Sequence, residues 1–417
     1  MLDTSLTRSI AALICSATAA LTIGCSSDDP LEFEEFVLPE QTIAAGDFHT
    51  CAVTPQGGLK CWGQNENGQL GDGTQQDSLV PKQVAGLSKD VDQVVAGGSH
   101  TCAMKQDGSL VCWGRNNFGQ VGDGSVEDAL TPTQVSGIES RVIGVSAGTW
   151  HACALIEVEH APSDSDPDPD SDQQPEPVGK VMCWGENGFG RLGDGTTDRK
   201  TVPIDVAGLD SDILAVVAGG SHTCVITSKR GVKCWGLNGK GQLGEGSTTN
   251  RMAPTQVKGL ESGVLALAAG NQHTCALKIG GAMLCWGAND QGQLGNGGFM
   301  NQWAPTAVVG FELPIIRMAV GEFRTCAIDE AGVTYCWGNE RYGELDGDAL
   351  TSTNTPQRID GVDVGAKDAS IGSAHTCVRL ANDELETLRC WGKNRYGALG
   401  DGTTEERWEP VDVVGFQ

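Results

Sequence analysis

The sequence contains few basic residues and few aromatic residues. Its 417 residues include 28 Lys and Arg against 54 Asp and Glu, so the formal net charge is −26. Nucleic-acid binding depends on basic residues that neutralise phosphates, and the same cations attract proteins to anionic lipid surfaces. We therefore expect no nucleic-acid partner and no charge-driven docking on a membrane. Aromatic residues make up only 5% of the chain, so a concentration of them is informative.

Long apolar runs and several catalytic signatures are also missing. Beyond the N-terminus, no apolar run reaches the roughly 18 residues that a membrane-spanning helix needs. No Cys-x-x-Cys pair indicates a zinc site, and no Gly-Lys-Ser/Thr sequence indicates a phosphate-binding loop. The sequence also shows neither a nucleophile–base pair nor a carboxylate dyad. We therefore expect a protein that is not an enzyme and that uses no metal and no cofactor.

The N-terminus has the pattern of an export signal. A short apolar run from Ile10 to Gly24 has the length of a signal-peptide core rather than that of a membrane span. The run ends in LTIGCSSDDP, a junction that resembles the lipobox of bacterial lipoproteins, in which the cysteine is lipidated. We predict a signal peptide over residues 1–24, a lipid anchor on Cys25 and an acidic tether over residues 25–39. The expected location is extracytoplasmic, on the outer membrane or cell surface, with plain secretion as the alternative.

The chain has 16 cysteines, and most of them form pairs that are close in the sequence. Cys15 lies in the expected signal peptide, and Cys25 is the lipidation candidate. The remaining pairs bracket short turns, so a hairpin would place their two sulfur atoms opposite each other. An even number of cysteines in an exported chain favours disulfides over metal binding. The predicted disulfides are Cys51–Cys61, Cys102–Cys112, Cys153–Cys183, Cys224–Cys234, Cys275–Cys285, Cys326–Cys336 and Cys377–Cys390.

A unit of about 51 residues occurs seven times in the sequence. The tryptophan of a Cys-Trp-Gly motif marks each unit, and these residues are Trp62, Trp113, Trp184, Trp235, Trp286, Trp337 and Trp391. Each unit contains alternating apolar segments, a Gly-containing turn and a polar loop, and it shows no helical periodicity. Three or four short strands per unit, repeated at such a period, are typical of a β-propeller. We therefore predict an all-β fold over residues 40–417.

The motif HTCA…CWG.N..GQLGDGT resembles the regulator-of-chromosome-condensation repeat, and the resemblance covers roughly residues 40–417. Known members of that family form seven-bladed β-propellers, so the resemblance implies a seven-bladed propeller built from the seven units. Family members engage a small GTPase and chromatin in eukaryotes, and a secreted bacterial relative inhibits β-lactamase. The paired cysteines depart from the eukaryotic members and suit an exported bacterial protein.

The third unit contains an additional segment, HAPSDSDPDPDSDQQPEPVG, over residues 160–179. Pro, Asp and Ser dominate this segment and periodic apolar positions are missing, so we predict a disordered acidic loop between paired strands. Its Asp-x-Asp-x-Asp spacing is similar to part of a calcium loop, but the glycine and the distal glutamate of an EF-hand are missing. Calcium binding by this loop stays an open alternative.

Several residues recur once per unit, which is typical of structural positions. Histidines precede the first cysteine of each pair at His49, His100, His151, His222, His273 and His375, with Arg324 in the sixth unit. Because equivalent positions around a ring stay apart, these histidines cannot converge on one metal. We expect the Cys-Trp-Gly tryptophans between neighbouring units, with each indole N–H bound to a backbone carbonyl. The Asn and Asp of the WGxN and GDGT motifs are expected to cap backbone amides in turns.

Three further tryptophans lie outside the Cys-Trp-Gly motif. Trp303 and Trp408 occupy a position, two residues before a proline, that Leu79 and Met252 fill in other units, and we expect this position to lie in the core. Trp150 directly precedes a histidine. A photoreceptor member of the family uses clustered tryptophans as a chromophore, but these three additional residues do not predict such a cluster.

Two turn or loop positions differ between units and are often aromatic. The first directly precedes the histidine, and the second precedes a loop glycine. Seven of these fourteen positions are aromatic, and a repeat scaffold displays recognition at positions that its architecture leaves free. Their side chains either bind a partner or fill space between neighbouring loops, and both uses stay open. The seven aromatic residues are Phe48, Trp150, Phe323, Phe118, Phe189, Tyr342 and Tyr396.

These patterns favour a non-enzymatic exported scaffold that recognises a protein through one propeller face. The expected partner is an envelope or extracellular protein, bound by a lipid-tethered monomer. A carbohydrate- or peptidoglycan-binding surface module is the alternative, because aromatic residues beside Asn, Asp and Gln also suit sugars. Hydrolysis in the central channel would need acids that converge on the axis, and the sequence identifies none. Guanine-nucleotide exchange, known in the family, is disfavoured by export, by acidity and by the lack of a wedge-like insertion.

Overall fold

The structure, a computed structural model, describes five stretches of the chain, all within the unit Pro39–Gln417. They are residues 41–158, 178–339, 352–362, 365–382 and 385–416. These residues form 28 strands and contain no helix, so the prediction of an all-β fold is confirmed. Among them there is accordingly no helix that could cross a membrane. The expected signal peptide, Cys25, the acidic tether, residues 160–177 of the acidic loop and Tyr342 lie outside the described residues.

Each of the seven units supplies four consecutive strands. The first strands are β1 (Ile43–Ala45), β5 (Val91–Ala96), β9 (Val142–Ala147), β13 (Ile213–Ala218), β17 (Val264–Ala269), β21 (Ile315–Val320) and β25 (Ala366–Ile371). The second strands are β2 (His49–Val53), β6 (His100–Lys105), β10 (His151–Glu157), β14 (His222–Thr227), β18 (His273–Lys278), β22 (Arg324–Asp329) and β26 (His375–Asn382). The third strands are β3 (Leu59–Gly63), β7 (Leu110–Gly114), β11 (Gly179–Gly185), β15 (Val232–Gly236), β19 (Met283–Gly287), β23 (Thr334–Gly338) and β27 (Leu385–Gly392). The fourth strands are β4 (Ser78–Gln83), β8 (Ala129–Gln134), β12 (Lys200–Asp205), β16 (Arg251–Gln256), β20 (Gln302–Ala307), β24 (Thr353–Arg358) and β28 (Arg407–Asp412).

Within each unit the four strands pair antiparallel in sequence order, and together they form five four-stranded sheets and one eight-stranded sheet. The eight-stranded sheet contains β9–β16, and its two halves meet at a single residue pair, Gly179 opposite Ile213. Gly179 also lies opposite Glu157 at the start of β11. The predicted acidic loop was therefore slightly too long, because the β10–β11 ladder already includes its last residue.

The hairpin between the second and third strands explains why the sequence pairs its cysteines. In the first unit Thr50 lies opposite Trp62, and Cys51 lies opposite Cys61. The opposed cysteines form a disulfide, and the same register recurs in the other six hairpins. All seven predicted disulfides are confirmed, including those of the longer hairpins in the third and seventh units.

Much of the apolar core lies between neighbouring units. Trp113 of the second unit packs in a buried cluster with Leu59 and Leu70 of the first unit. Trp62 packs with residues of the seventh unit, including Phe416, whose ring centroid lies 6.4 Å away. All seven Cys-Trp-Gly tryptophans are at most 1% exposed. The prediction that these tryptophans pack between units is therefore confirmed.

The first and last units close the ring of repeats by direct contact. The Ala45 N–H donates to Ser370 Oγ at 2.9 Å. The Nη2 group of Arg379 donates to the carbonyl oxygens of Thr42 at 3.1 Å and of Val53 at 2.8 Å. Each of the two units keeps its own four strands. Closure therefore depends on hydrogen bonds and packing between the two units rather than on a sheet that they share.

Candidate functional site

The first strands of the units end at a central channel. One glycine from each unit lines its wall, and these seven residues, which we call the glycine ring, are Gly46, Gly97, Gly148, Gly219, Gly270, Gly321 and Gly372. A Cβ atom at Gly148 would lie 2.2 Å from the carbonyl oxygen of Gly219, and a Cβ atom at Gly372 would lie 2.1 Å from that of Gly46. Any larger residue would therefore push neighbouring units apart.

A buried layer of histidine and threonine joins neighbouring units next to the glycine ring. His49 Nε2 lies 2.9 Å from Thr101 Oγ1 of the second unit. Thr101 Oγ1 donates its single proton to the carbonyl oxygen of Gln69 at 2.9 Å, so it accepts a hydrogen bond from the histidine. One ring proton of His49 therefore lies on Nε2, and Nδ1 has no hydrogen-bond partner. The indole N–H of Trp113 donates to the same carbonyl at 2.9 Å, as the sequence predicts.

This contact recurs at five of the seven junctions between units. The pairs are His49–Thr101, His151–Thr223, His222–Thr274, His273–Thr325 and His375–Thr50, with Nε2 to Oγ1 distances from 2.8 to 3.0 Å. At the junction of the second and third units Ala152 replaces the threonine, which leaves both ring nitrogens of His100 without a hydrogen-bond partner. At the junction of the sixth and seventh units Arg324 replaces the histidine. The histidines hold units together rather than forming a reactive site.

Burial keeps these histidines uncharged. It lowers the pKa of His100 to about 4 and that of His49, His222, His273 and His375 to about 3. The pKa of His151 also lies well below its usual value, first because of burial and second because of the positive charge of Arg191. A histidine that stays neutral across the physiological range is a poor general acid. In the part of the chain that the structure describes, no three His, Cys, Asp or Glu side chains are arranged to hold a metal ion.

An Asn and an Asp shape the loop that joins the third and fourth strands. In the first unit Asn65 Oδ1 accepts from the Leu70 N–H at 2.9 Å, and Asn65 Nδ2 donates to the carbonyl oxygen of Thr74 at 3.0 Å. Asp72 Oδ1 accepts from the Thr74 N–H at 2.9 Å. These side chains cap backbone groups in the turn, as expected from the motifs. The loop therefore presents its tip in a fixed position.

The turn between the first and second strands and the loop between the third and fourth strands lie at the same end of each sheet. This follows from the pairing of His49 with Gly63. We call this end the channel face. The residues that follow the glycine ring, here called the mouth residues, line a cavity of about 230 Å³ together with the ring and the residues that precede it. The mouth residues are Asp47, Gly98, Thr149, Gly220, Asn271, Glu322 and Ser373.

Two carboxyl groups lie among the mouth residues. Ser373 Oγ donates to Asp47 Oδ1 at 2.5 Å, and Asn271 Nδ2 donates to Glu322 Oε1 at 3.2 Å. Burial raises the pKa of Asp47, and the hydrogen bond from Ser373 offsets only part of this increase. Burial and then the negative charge of Asp47 raise the pKa of Glu322, against smaller effects of Asn271, Ser373 and the positive charge of Lys393.

Sequence reasoning identified no acids at the channel and so missed Asp47 and Glu322. The two residues come from the first and sixth units, and only closure of the ring brings both to one cavity. A signal was present, since the position between the ring glycine and the variable aromatic position also differs in most units. The position of the mouth residues is therefore a third position, besides the two aromatic ones, at which the residue type differs between units.

Two pairs of the aromatic residues singled out in the sequence meet across junctions between units. The rings of Phe48 and Tyr396 lie 5.5 Å apart, and those of Phe118 and Trp150 lie 5.7 Å apart, both edge to face. Gln120 Oε1 accepts from the Phe118 N–H at 2.8 Å and so fixes the loop that carries this ring. These contacts hold the four rings against neighbouring units and leave each ring partly exposed.

Guanidinium groups accompany three of the aromatic rings. The pairs are Arg115 with Trp150 at 4.8 Å, Arg395 with Tyr396 at 5.4 Å and Arg191 with Phe189 at 5.5 Å, measured from the guanidinium carbon to the ring centroid. Phe189 is 42% exposed. Phe323 is partly buried at the corresponding turn of the sixth unit. The channel face thus combines aromatic rings with positively charged groups around a mouth that contains two carboxyls.

The prediction that Trp303 and Trp408 lie in the core is wrong. Trp303 is 52% exposed and Trp408 is 42% exposed. Their position belongs to the fourth strand of each unit, which pairs on one side only. One side of Trp303 covers a loop glycine of the preceding unit, Gly241, whose Cβ would lie 2.5 Å from Trp303 Cδ1. The remaining surface faces solvent, so the position is a half-covered edge.

Comparison with known proteins agrees with this geometry. A model described as the regulator of chromosome condensation (RCC1) repeat matches residues 56–104, 107–155, 179–226, 232–277, 280–328 and 390–417. The ultraviolet-B receptor UVR8 of Arabidopsis thaliana is 30% identical over 373 residues, which cover 88% of this chain and 79% of the receptor.

Solved structures show the same fold. Prp20p of Saccharomyces cerevisiae superposes with a TM-score of 0.71 at 21% identity, over 87% of this chain and 87% of Prp20p. Human WBSCR16 superposes with a TM-score of 0.70 at 21% identity, over 85% of this chain and 93% of WBSCR16. The fold is therefore an RCC1-type β-propeller, and the chain belongs to the regulator of chromosome condensation (RCC1) repeat family.

Proposed function

We propose that this protein is a non-enzymatic scaffold that binds a protein partner through its channel face. The observation that supports the proposal is a pair of edge-to-face ring contacts on that face, between Phe48 and Tyr396 and between Phe118 and Trp150. Rigid aromatic side chains and arginines dominate the binding energy of many protein interfaces, and loops on a rigid repeat scaffold are common sites of recognition. The structural relative Prp20p binds Gsp1p and histones.

The seven units are, in this proposal, seven propeller blades. The strands fall into seven consecutive groups of four, and the two halves of the eight-stranded sheet share only the pair Gly179 and Ile213. The glycine ring likewise has one member from each unit and closes from Gly372 to Gly46. Seven blades around one channel would place the mouth residues at equivalent positions around that channel.

The proposed location is outside the cytoplasm. Seven disulfides favour an oxidising compartment, and the junction at Cys25 favours a lipid anchor. The substitution Cys25→Ala should move the exported protein from the membrane fraction to the soluble fraction, as measured by fractionation and immunoblotting. A variant that stays in the membrane fraction would contradict the anchor and leave the binding proposal untouched.

Site-specific photo-cross-linking in cells tests the binding face. A benzophenone amino acid at Phe189, which is 42% exposed on the channel face, should cross-link a single envelope or extracellular protein. The control position is Ile279, which is 47% exposed in the β18–β19 turn at the opposite end of the sheet. The control protein should give no such product.

The double substitution Phe118→Ser and Trp150→Ser should abolish the cross-link at Phe189 and leave the thermal unfolding temperature within a few degrees of the wild type. A cross-link that survives this change, or that forms equally at Ile279, would disprove recognition by the channel face. A loss of folding would show that the rings fill space between loops. Cross-linking to glycan material alone would favour the carbohydrate-binding alternative.

A further inference from the structure

The channel mouth has an excess of hydrogen-bond acceptors. Asp47 and Glu322 are acceptors only when ionised, with two oxygens each. Ser373 Oγ donates its one proton to Asp47 Oδ1. Asn271 donates to Glu322 at 3.2 Å. The mouth therefore holds more carboxylate oxygens than its neutral hydrogen-bond partners can satisfy.

The two carboxyl groups are also costly to keep charged. Both side chains are partly buried at the mouth. Their hydrogen-bond partners are neutral, and the positive charge of Lys393 lowers the pKa of Glu322 by less than burial and Asp47 raise it. Moving an ionised carboxylate out of water is unfavourable unless enough positive charge lies beside it. A ligand that brings positive charge and several N–H donors would offset this cost. A neutral or anionic ligand would increase it.

The surroundings of the mouth indicate a ligand carried by a protein surface. Asp47 directly precedes Phe48, and Glu322 directly precedes Phe323, so both carboxyls lie inside the ring of variable aromatic positions. The cavity of about 230 Å³ is suited to one long side chain and not to a folded element. A protruding loop that enters the mouth would rest its neighbouring residues on the aromatic rings.

We infer that the partner inserts one basic side chain, lysine or arginine, from an exposed loop into the mouth, where it binds Asp47 and Glu322. This inference rests on the proposed function, because it specifies the group that a protein partner presents to the channel face. An ammonium group offers three donors and no acceptor, and a guanidinium group offers five. Either one complements a mouth with two carboxyl groups.

Titration of the full chain with short peptides tests the inference, with backbone amide NMR shifts of Gly46 and Gly321 as the readout. The probes are acetyl-Gly-Lys-Gly-amide and acetyl-Gly-Arg-Gly-amide, and the neutral control is acetyl-Gly-norleucine-Gly-amide. At least one basic peptide should shift both resonances with a dissociation constant on the order of 1 mM. The neutral peptide should bind about ten-fold more weakly or not at all.

The matched variants are Asp47→Asn with Glu322→Gln, and Glu66→Gln with Asp290→Asn. Both pairs remove two negative charges, but Glu66 and Asp290 are exposed loop residues of the channel face outside the mouth. The first pair of substitutions should weaken binding of the basic peptide about ten-fold, and the second pair should weaken it by less than two-fold.

Equal losses in both pairs, or equal binding of the neutral peptide, would overturn the inference. Titration with Ca²⁺ in the millimolar range is a further control. If Ca²⁺ shifts the same resonances with a lower dissociation constant than either basic peptide, the mouth is a cation site and the inference is overturned. Because the peptides probe the mouth alone, the cross-link at Phe189 can succeed when this test fails. The two proposals therefore fail separately.

Discussion

The histidine–threonine layer and the channel face follow each other within three residues of the chain, yet they are built differently. His49 and Thr50 are buried and recur with little change, whereas Asp47 and Phe48 are partly exposed and differ in most units. In the layer five of the seven junctions between units repeat the same histidine–threonine contact. On the face the contacts between neighbours differ from junction to junction, with Phe48 against Tyr396 at one and Phe118 against Trp150 at another. Repetition marks the positions that hold the ring, and variation marks the positions that are free to bind.

Acid should destabilise the histidine–threonine layer. The folded-state pKa of the buried histidines lies below the unfolded value of 6.5, so their stabilisation is present above about pH 6.5 and is lost as pH falls toward 3. At pH 5 each histidine with a pKa of about 3 should cost about 2 kcal/mol of unfolding free energy. Urea unfolding midpoints measured from pH 7.5 to 4.5 should therefore fall steeply.

Three carboxyls oppose this trend. The pKa of Asp368 is raised by burial to about 7, and those of Asp47 and Glu322 are also raised, so each of them gains stability as pH falls. Six histidines should outweigh three carboxyls. A midpoint that stays constant between pH 7.5 and 5 would contradict the layer as described, and so would histidine ring ¹⁵N shifts that show charged rings in the folded protein at pH 5.

A single methyl group in the glycine ring should have the next largest effect. Gly372→Ala places a Cβ 2.1 Å from the carbonyl oxygen of Gly46, at the junction that closes the ring. We expect a loss of about 4 kcal/mol in unfolding free energy, because backbone on both sides must move. The control Gly239→Ala lies on an exposed loop of the channel face, where a Cβ would meet nothing within 4 Å. Its unfolding midpoint should stay close to the wild type, and equal losses would show that the ring is not tightly packed.

Restoring the missing contact of the layer should stabilise the protein. Ala152→Thr would give His100 Nε2 the hydroxyl partner that it lacks, and the new hydroxyl could donate to the carbonyl oxygen of Gln120, which already accepts from Trp184. The expected gain is about 1 kcal/mol, the usual net value of a buried hydrogen bond. Differential scanning calorimetry should show a higher unfolding temperature. In a His100→Ala background the gain should disappear, and a gain that persists there would assign it to packing alone.

A substitution at the channel mouth should have the smallest effect on stability. It should raise the free energy of unfolding, whereas damage to the histidine–threonine layer should lower it. Glu322→Gln removes a charge that burial and Asp47 disfavour, and it keeps an oxygen that can accept from Asn271. We expect a gain below about 1 kcal/mol at pH 7. Urea unfolding can measure it against Glu66→Gln as the control. A clear loss of stability would place Glu322 among the structural residues and not among those free for binding.

Much of the fold could be predicted from residues that recur. The seven disulfides followed from the position of the cysteines around short turns, because a hairpin places such residues opposite each other. The packing of Trp62 and Trp113 between units followed from their recurrence beside strand cysteines. The half-covered position of Trp303 and Trp408 was missed because an apolar residue on an edge strand has the same sequence pattern as one in the core.

By itself the sequence determined the local structure of this protein, since hairpins, turns and disulfides are formed by residues close together in the chain. It also identified Phe48, Phe118, Trp150 and Tyr396 as positions free to vary. Only the tertiary structure decided which of them meet, because Phe48 and Tyr396 come from the first and last units. The same holds for Asp47, Ser373 and Glu322 at the mouth. Contacts between distant units depend on how the ring closes, and local pattern carries no information about that closure.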